Sequence, residues 1–230
     1  MVMQLIYQTL NTRCYQKIRS KETVEDTRCR LCYQKEESVK HLISNCEELA
    51  KKVYIDRHNN VLKCFFFPML MQFGLITKLP PWFSEEKVKP SYESGEYEAY
   101  WDIPEYSGRP EETDDTTPRP DGKIIMIREK KIFLIEMTVP WIENRDRKYE
   151  YKEGRYKEVQ TNLKIDYQDF DIDQVTLVID VFGGYSKNLI DNISKVIKSK
   201  VEVKGIIRNM QKTVIKSEAH LSRVFKLKTL

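Results

Sequence analysis

The chain is expected to fold as an α/β protein: a central mixed sheet flanked by helices, preceded by a small, mostly helical subdomain built around cysteines. Three observations carry this. After Pro120, the apolar runs IIMI (124–127) and IFLI (132–135) follow one another as strands covered on both faces do. A third run, VTLVIDV at 175–181, is set apart from them by a polar helical stretch, and strands separated by helices build α/β sheets. Finally, Cys29, Cys32 and Cys46 crowd into 18 residues together with His41, one of only three histidines.

The elements follow in order. Residues 2–20 lack Gly and Pro and read as a helix. The stretch from Cys29 to Cys46 is a compact loop and a helix over Glu37 to Asn45, with Val39, Leu42 and Ile43 on one side. Helix continues over 47–66, with Leu49, Val53 and Val61 as core candidates. Eight prolines, among them Pro68, Pro90, Pro110 and Pro118, then punctuate a tract of short elements and turns up to Pro120. Strands at 123–128 and 131–139 form a hairpin turning at Glu129 and Lys130. A polar helix covers 145–163, and its mid-helix Gly154 costs about 1 kcal/mol relative to Ala, which close packing would explain. The strand at 175–181 stops at Gly183 and Gly184, and amphipathic helices lie near 187–199 and 206–226. Three parts are expected: 1–50 with the cysteine cluster, 51–205 with the sheet and an acidic, Pro-rich stretch at 85–120, and a basic helix at 206–230.

A chain of 230 residues buries a sizeable core. No run approaches the roughly 20 apolar residues of a membrane span, and the N-terminus lacks the build of a signal peptide, so no membrane partner and a reducing, intracellular setting are expected. Five cysteines, three of them clustered, favour metal over disulfides. The formal charge of +4 hides an asymmetry: residues 85–121 hold twelve acidic against four basic residues, net −8, and 186–230 hold three against eleven, net +8. The basic third can meet a polyanion and the acidic stretch can hold cations, although solvated surfaces produce the same runs.

Two constellations carry chemistry. The spacing C-x2-C-x8-H-x4-C supplies three thiolates and an imidazole from Cys29, Cys32, His41 and Cys46. This is a full tetrahedral set for zinc with no position left for water, hence a structural site. In the hairpin, pairing residue 128 with 131 sets Asp121 opposite Thr138 and makes Glu136 its diagonal neighbour on the same face. Diagonal Cβ atoms lie about 7–8 Å apart, a span that two carboxylates and one ion can fill. A charge amid IFLIEMTV is costly unless paired or metal-bound. A slip of one residue would put the acids on opposite faces, leaving exposed charges at a hairpin end. On the next helix Lys148, Lys152 and Arg155 share one face at i, i+4 and i+7.

Asp121-x14-Glu136-x-Thr138 followed by a helix-borne lysine resembles the PD-(D/E)xK nuclease superfamily, and within it the restriction-like endonuclease of site-specific non-LTR retrotransposons. The resemblance spans most of the chain in an ordered series: CRLC with His41 and Cys46, YIDRHNNV (54–61), Trp101-Asp102, RPD (119–121), IEMTVP, Lys152-x2-Arg155-Tyr156, VTLVIDVFGG and MQKTVIKSEAHLSRVF. It implies a restriction-endonuclease-like mixed sheet behind a zinc knuckle, with Asp121 and Glu136 binding Mg²⁺ or Mn²⁺. Lys152 would be the motif lysine, moved from strand to helix, and Arg155 the second basic position. Glu136 stands where the family more often has Asp, which keeps the charge.

The activity implied is metal-dependent nicking of target DNA by phosphodiester hydrolysis, leaving a 3′ hydroxyl that primes reverse transcription. DNA is the expected partner, with retrotransposon RNA beside it, and Arg119, Lys148, Arg57 and His58 are candidates for DNA contact. A reverse transcriptase is expected in a full-length relative, so the chain reads as a fragment of such an element, acting in the nucleus. The alternative is a catalytically inactive, zinc-containing nucleic-acid-binding module. A protein-interaction role for the Tyr-rich segment SYESGEYEAYW (91–101) rests on composition alone.

Overall fold

A computed structural model describes residues 2–19, 24–104 and 119–228. Pro110, Pro118 and the acidic residues between them fall outside these, as does much of the expected acidic stretch. The fold is mixed α/β, a five-stranded mixed sheet with helices on both faces.

The N-terminal helix expected over 2–20 is two short ones, α1 (Val2–Ile6) and α2 (Arg13–Arg19). The break follows from burial: Leu5 and Leu10 are both fully buried, yet positions five apart lie about 140° from each other on a helix. Gln8 at φ +53° turns the chain so that both reach one core, and the Thr12 hydroxyl accepts from Tyr15 N–H at 3.2 Å to restart the helix.

Helix α3 (Val39–Ser44) carries the expected Val39, Leu42 and Ile43 inward. A short α4 (Glu47–Leu49), a π-helical turn (Ala50–Tyr54) and α5 (Ile55–Gln72) replace the helix expected over 47–66. Pro68 does not end α5, because fully buried Met69 and Leu70 anchor the following residues in the core.

Strands β1 (Ser91–Glu93), β2 (Tyr97–Trp101), β3 (Gly122–Met126), β4 (Lys131–Thr138) and β5 (Asp171–Val178) lie in that order across the sheet. The first four are antiparallel in sequence, and β5 is parallel to β4. β1 and β2 lie in the Tyr-rich segment, where only Ala99 is fully buried. Their glutamates blunt the sheet edge. β5 starts four residues before the expected 175, because its first turns of pleat, DIDQ, are polar.

The hairpin register differs from the expected one. Gly122 pairs with Ile135 and Met126 with Lys131, around a four-residue turn, Ile127 to Lys130, with Lys130 at φ +50°. The pairing is therefore shifted by two residues, and continuing it places Asp121 opposite Glu136 rather than Thr138. A shift of two preserves the face, so the acids remain on one side of the sheet.

The polar helix expected over 145–163 is α6 (Arg145–Arg155) and α7 (Lys157–Asp166), split at the fully buried Tyr156. With Leu134, Val159 and Leu163, Tyr156 forms the core on one face of the sheet. A Cβ at Gly154 would meet nothing within 4 Å, so close packing is not its reason.

The larger core lies on the other face, where Phe133, Ile135 and Met137 meet α5, α8 (Lys187–Val196) and α9 (Lys200–Lys228). The expected helices ended at 199 and began at 206, but Ile197 and Val203 are buried and pull the junction inward. Farther along α9, Leu221 and Phe225 pack with Leu5, Leu42, Cys46 and Trp141. The cysteine segment thus shares a core with the C-terminal helix and the end of the sheet. Among the described residues no helix is long and apolar enough to cross a membrane.

Candidate functional site

The four expected metal ligands converge. A β-bridge between Arg28 and Glu36 closes the first loop, and Cys29 N–H donates to Lys35 O at 2.7 Å. Ser38 caps α3 by accepting from His41 N–H at 3.1 Å, which fixes the turn bearing the imidazole. The donor atoms of Cys29, Cys32, His41 and Cys46 all lie within 4.8 Å of one another. Cys29 and Cys46 sulfurs are 4.0 Å apart, and Cys32 Sγ is 3.3 Å from His41 Nε2. A zinc tetrahedron with Zn–S near 2.3 Å has sulfur edges of about 3.8 Å, so the cluster could hold this ion as a closed shell. Contact between the two sulfurs lowers the Cys29 pKa to about 5 and raises that of Cys46, because one proton serves both. Behind the cluster, fully buried Glu37 pairs with Arg30 at 2.8 Å and accepts from Arg13 N–H at 2.8 Å.

The second site forms where β3 begins and β4 ends. Asp121 Oδ2 accepts from Met137 N–H at 2.6 Å, which clamps the carboxylate to the neighbouring strand. The His58 ring, carried by α5, brings Nε2 to 3.1 Å from both Asp121 Oδ2 and Met137 O, and its Nδ1 lies 3.1 Å from Asn59 Oδ1. Burial disfavours the imidazolium, but the Asp121 carboxylate outweighs it, and the His58 pKa rises to about 9. With oxygens facing both ring nitrogens, the doubly protonated form fits.

Glu136, opposite Asp121, is fully buried. Burial and then the charge of Asp121 raise its pKa, and Lys152 pulls it back. The Lys152 ammonium, from α6, donates to Glu136 Oε2, while Oε1 has no hydrogen-bond partner. Gln174 on β5 supports this arm of α6, its Nε2 donating to Lys152 O at 2.8 Å and to Thr176 Oγ1 at 2.9 Å. The Tyr156 hydroxyl donates to Arg119 O at 2.8 Å and so ties the α6–α7 break to the segment before Asp121. Burial, and next the charge of Glu136, push that phenol well above its ordinary range. Gly122 keeps β3 close: a Cβ there would lie 3.0 Å from Phe66 and 3.2 Å from Tyr100 O.

Asp121, Glu136 and Lys152 therefore come together. Arg155 does not join them: it is exposed, its guanidinium 5.4 Å from the Tyr156 ring centroid. Lys148 is also exposed, stacked over Tyr151, so the three basic residues of α6 diverge. With Asn45, His58, Thr138 and Asn144, Lys148 lines a cleft of about 290 Å³ between the cysteine segment and the sheet end. Arg119 lies 3.8 Å from Asp102 and is partly exposed. Arg57, expected to contact DNA, is instead buried, donating to Ile43 O at 3.1 Å and to Glu218 Oε1 at 2.5 Å. His58, expected in the same role, belongs to the acid pair.

Sequence reasoning missed Gln174 and the supporting role of Tyr156. Both needed α6 folded back on the sheet before their partners were visible. A scan of the sequence against models of protein families and a search of curated proteins find no match.

Proposed function

We propose that the chain is a metal-dependent DNA endonuclease of the PD-(D/E)xK type, as its resemblance to the restriction-like endonucleases of non-LTR retrotransposons implies. One observation carries the reading: Asp121, clamped to Met137 N–H, lies beside Glu136, which has Lys152 on one oxygen and its other oxygen buried without a partner. Two carboxylates with an unsatisfied oxygen are hard donors of the kind Mg²⁺ or Mn²⁺ takes. When bound, such an ion would polarise the scissile phosphate and acidify a water.

The chain's own residues supply the rest. Met137 N–H and His58 hold the Asp121 carboxylate in one orientation. Lys152 offers an ammonium beside the acids, where the extra negative charge of the transition state develops. Lys148 and Asn144, on the adjoining cleft, suit phosphate contacts that position a DNA backbone without reading its sequence. The zinc cluster would keep the cleft's opposite wall in place. On this reading the chain works on DNA in the nucleus, in concert with a reverse transcriptase and its template RNA.

A second reading, an inactive nucleic-acid-binding module, draws on a specific feature: each acid already has a cation, His58 on Asp121 and Lys152 on Glu136. Nicking of supercoiled plasmid at low salt with Mg²⁺ or Mn²⁺ separates the two. Metal-dependent relaxation by the wild type, lost in Asp121→Ala and Lys152→Ala with gel-shift binding retained, is expected. Relaxation by Asp121→Ala at the wild-type rate removes the acid pair from the mechanism. Binding without any relaxation favours the module.

A further inference from the structure

We infer that a second cleft, between α5, α9 and the loop at Trp82–Glu85, receives a nucleotide of a single-stranded nucleic acid. It measures about 330 Å³, within the roughly 300–1,000 Å³ of small-ligand sites. One wall is aromatic. Trp82 and Phe83 stand edge to face with centroids 5.6 Å apart, and Phe83 is 58% exposed although it is a large apolar side chain. The facing wall is cationic: Lys216, His220 and Arg223 follow at i, i+4 and i+7 along α9, all exposed. One turn earlier, Lys212 holds its ammonium 5.7 Å from the Trp82 ring centroid.

The floor is polar. Arg57 lines this cleft with 5% exposure, and its Nε has no hydrogen-bond partner although its Nη1 is engaged. Asn60, Thr213 and Ser217 supply polar edges, and Asp56 and Glu85 add carboxylates to the lining. Those carboxylates repel a bare polyanion and accept from amines. The combination selects a ligand with a flat ring, polar ring edges and an attached anion, which is the chemistry of a nucleotide. A base within a duplex has no free ring face to offer Phe83, whereas a single strand does. Arg57 also lines the cleft that holds His58 and Lys148, so the nucleotide pocket adjoins the acid pair's cleft.

The inference shares only its ligand class with the nuclease reading, and its test is a binding measurement without cleavage. Fluorescence anisotropy of the full zinc-loaded chain compares a labelled oligothymidylate with an abasic strand of equal length and charge. Stacking predicts about tenfold tighter binding of the base-bearing strand. Phe83→Ala should bring the two affinities together, and Arg223→Ala should weaken both strands alike. Equal affinities in the wild type, no binding of either strand, or a full base preference retained by Phe83→Ala overturns the pocket. A parallel oligouridylate distinguishes RNA from DNA as the source of the strand. A chain that prefers bases but does not nick sinks only the nuclease reading.

Discussion

The two polar clusters of this chain answer the same problem in opposite ways. Cys29, Cys32, His41 and Cys46 turn all four donors on one another, within 4.8 Å, with all but Cys32 buried in a core that Leu42 and Phe225 share. Asp121 and Glu136 instead borrow cations from two separate helices, His58 from α5 and Lys152 from α6, and still leave one buried oxygen unmatched. A set of soft donors from one short stretch makes a compact cluster, whereas a pair of hard donors set on a sheet draws its counter-charges from distant helices. The difference teaches that a buried polar group is compensated either by its neighbours in sequence or by the folding of remote elements onto it.

The largest expected effect tests the compact cluster. Structural zinc contributes an apparent 10–16 kcal/mol, on the order of a whole domain's stability. Cys46→Ala should therefore lose one equivalent of zinc and unfold the segment packed on Leu221 and Phe225, read by metal analysis and circular dichroism. A native spectrum without metal would make the cluster ordinary buried cysteines.

The next tests the borrowed cations. Lys152→Met leaves fully buried Glu136 uncompensated and should cost about 3–5 kcal/mol in urea unfolding. Adding Glu136→Leu should recover most of that loss, and a double variant as unstable as the single would show that the pair is not coupled.

Between the clusters lies Arg57, and its partner Glu218 gives a pH signature. Burial raises the Glu218 pKa from 4.5 to about 7, against the pull of Arg57. A carboxyl that binds its proton more tightly when folded stabilises the fold below its unfolded pKa and loses that contribution as pH rises. Melting temperature should fall between pH 4.5 and about 7, and Glu218→Gln should flatten that interval. Parallel profiles for the two proteins would refute the assignment.

The smallest effect concerns the arm bearing Lys152. Gly154→Ala fills open space in α6 and should add about 1 kcal/mol, a rise of roughly 2–4 °C in melting temperature, with nicking unaltered. A fall would mean the glycine is needed for a movement of that helix.

The cysteine–histidine cluster was legible because its members lie within one short stretch. The proximity of Asp121 and Glu136 was legible despite an incorrect turn, since the error of two residues matched the period of a strand. The burial of Arg57 was not legible, because it depends on Glu218, 161 residues away, and a charged helix residue reads as exposed until α9 covers it. The ion pair of His58 was not legible for the same reason, its partner Asp121 lying 63 residues downstream. β1 and β2 escaped because a half-covered sheet edge has too few apolar residues to alternate.

The hairpin turn at Ile127 to Lys130 sets a rule for how this protein can vary in length. With β3 held between β2 and β4, a residue added within the turn only lengthens the loop, whereas one added inside β3 exchanges the faces of the residues on one side of it. Length should therefore vary freely at the turn and not in the strand, and a single-residue insertion within β3 should move Asp121 off the face of Glu136.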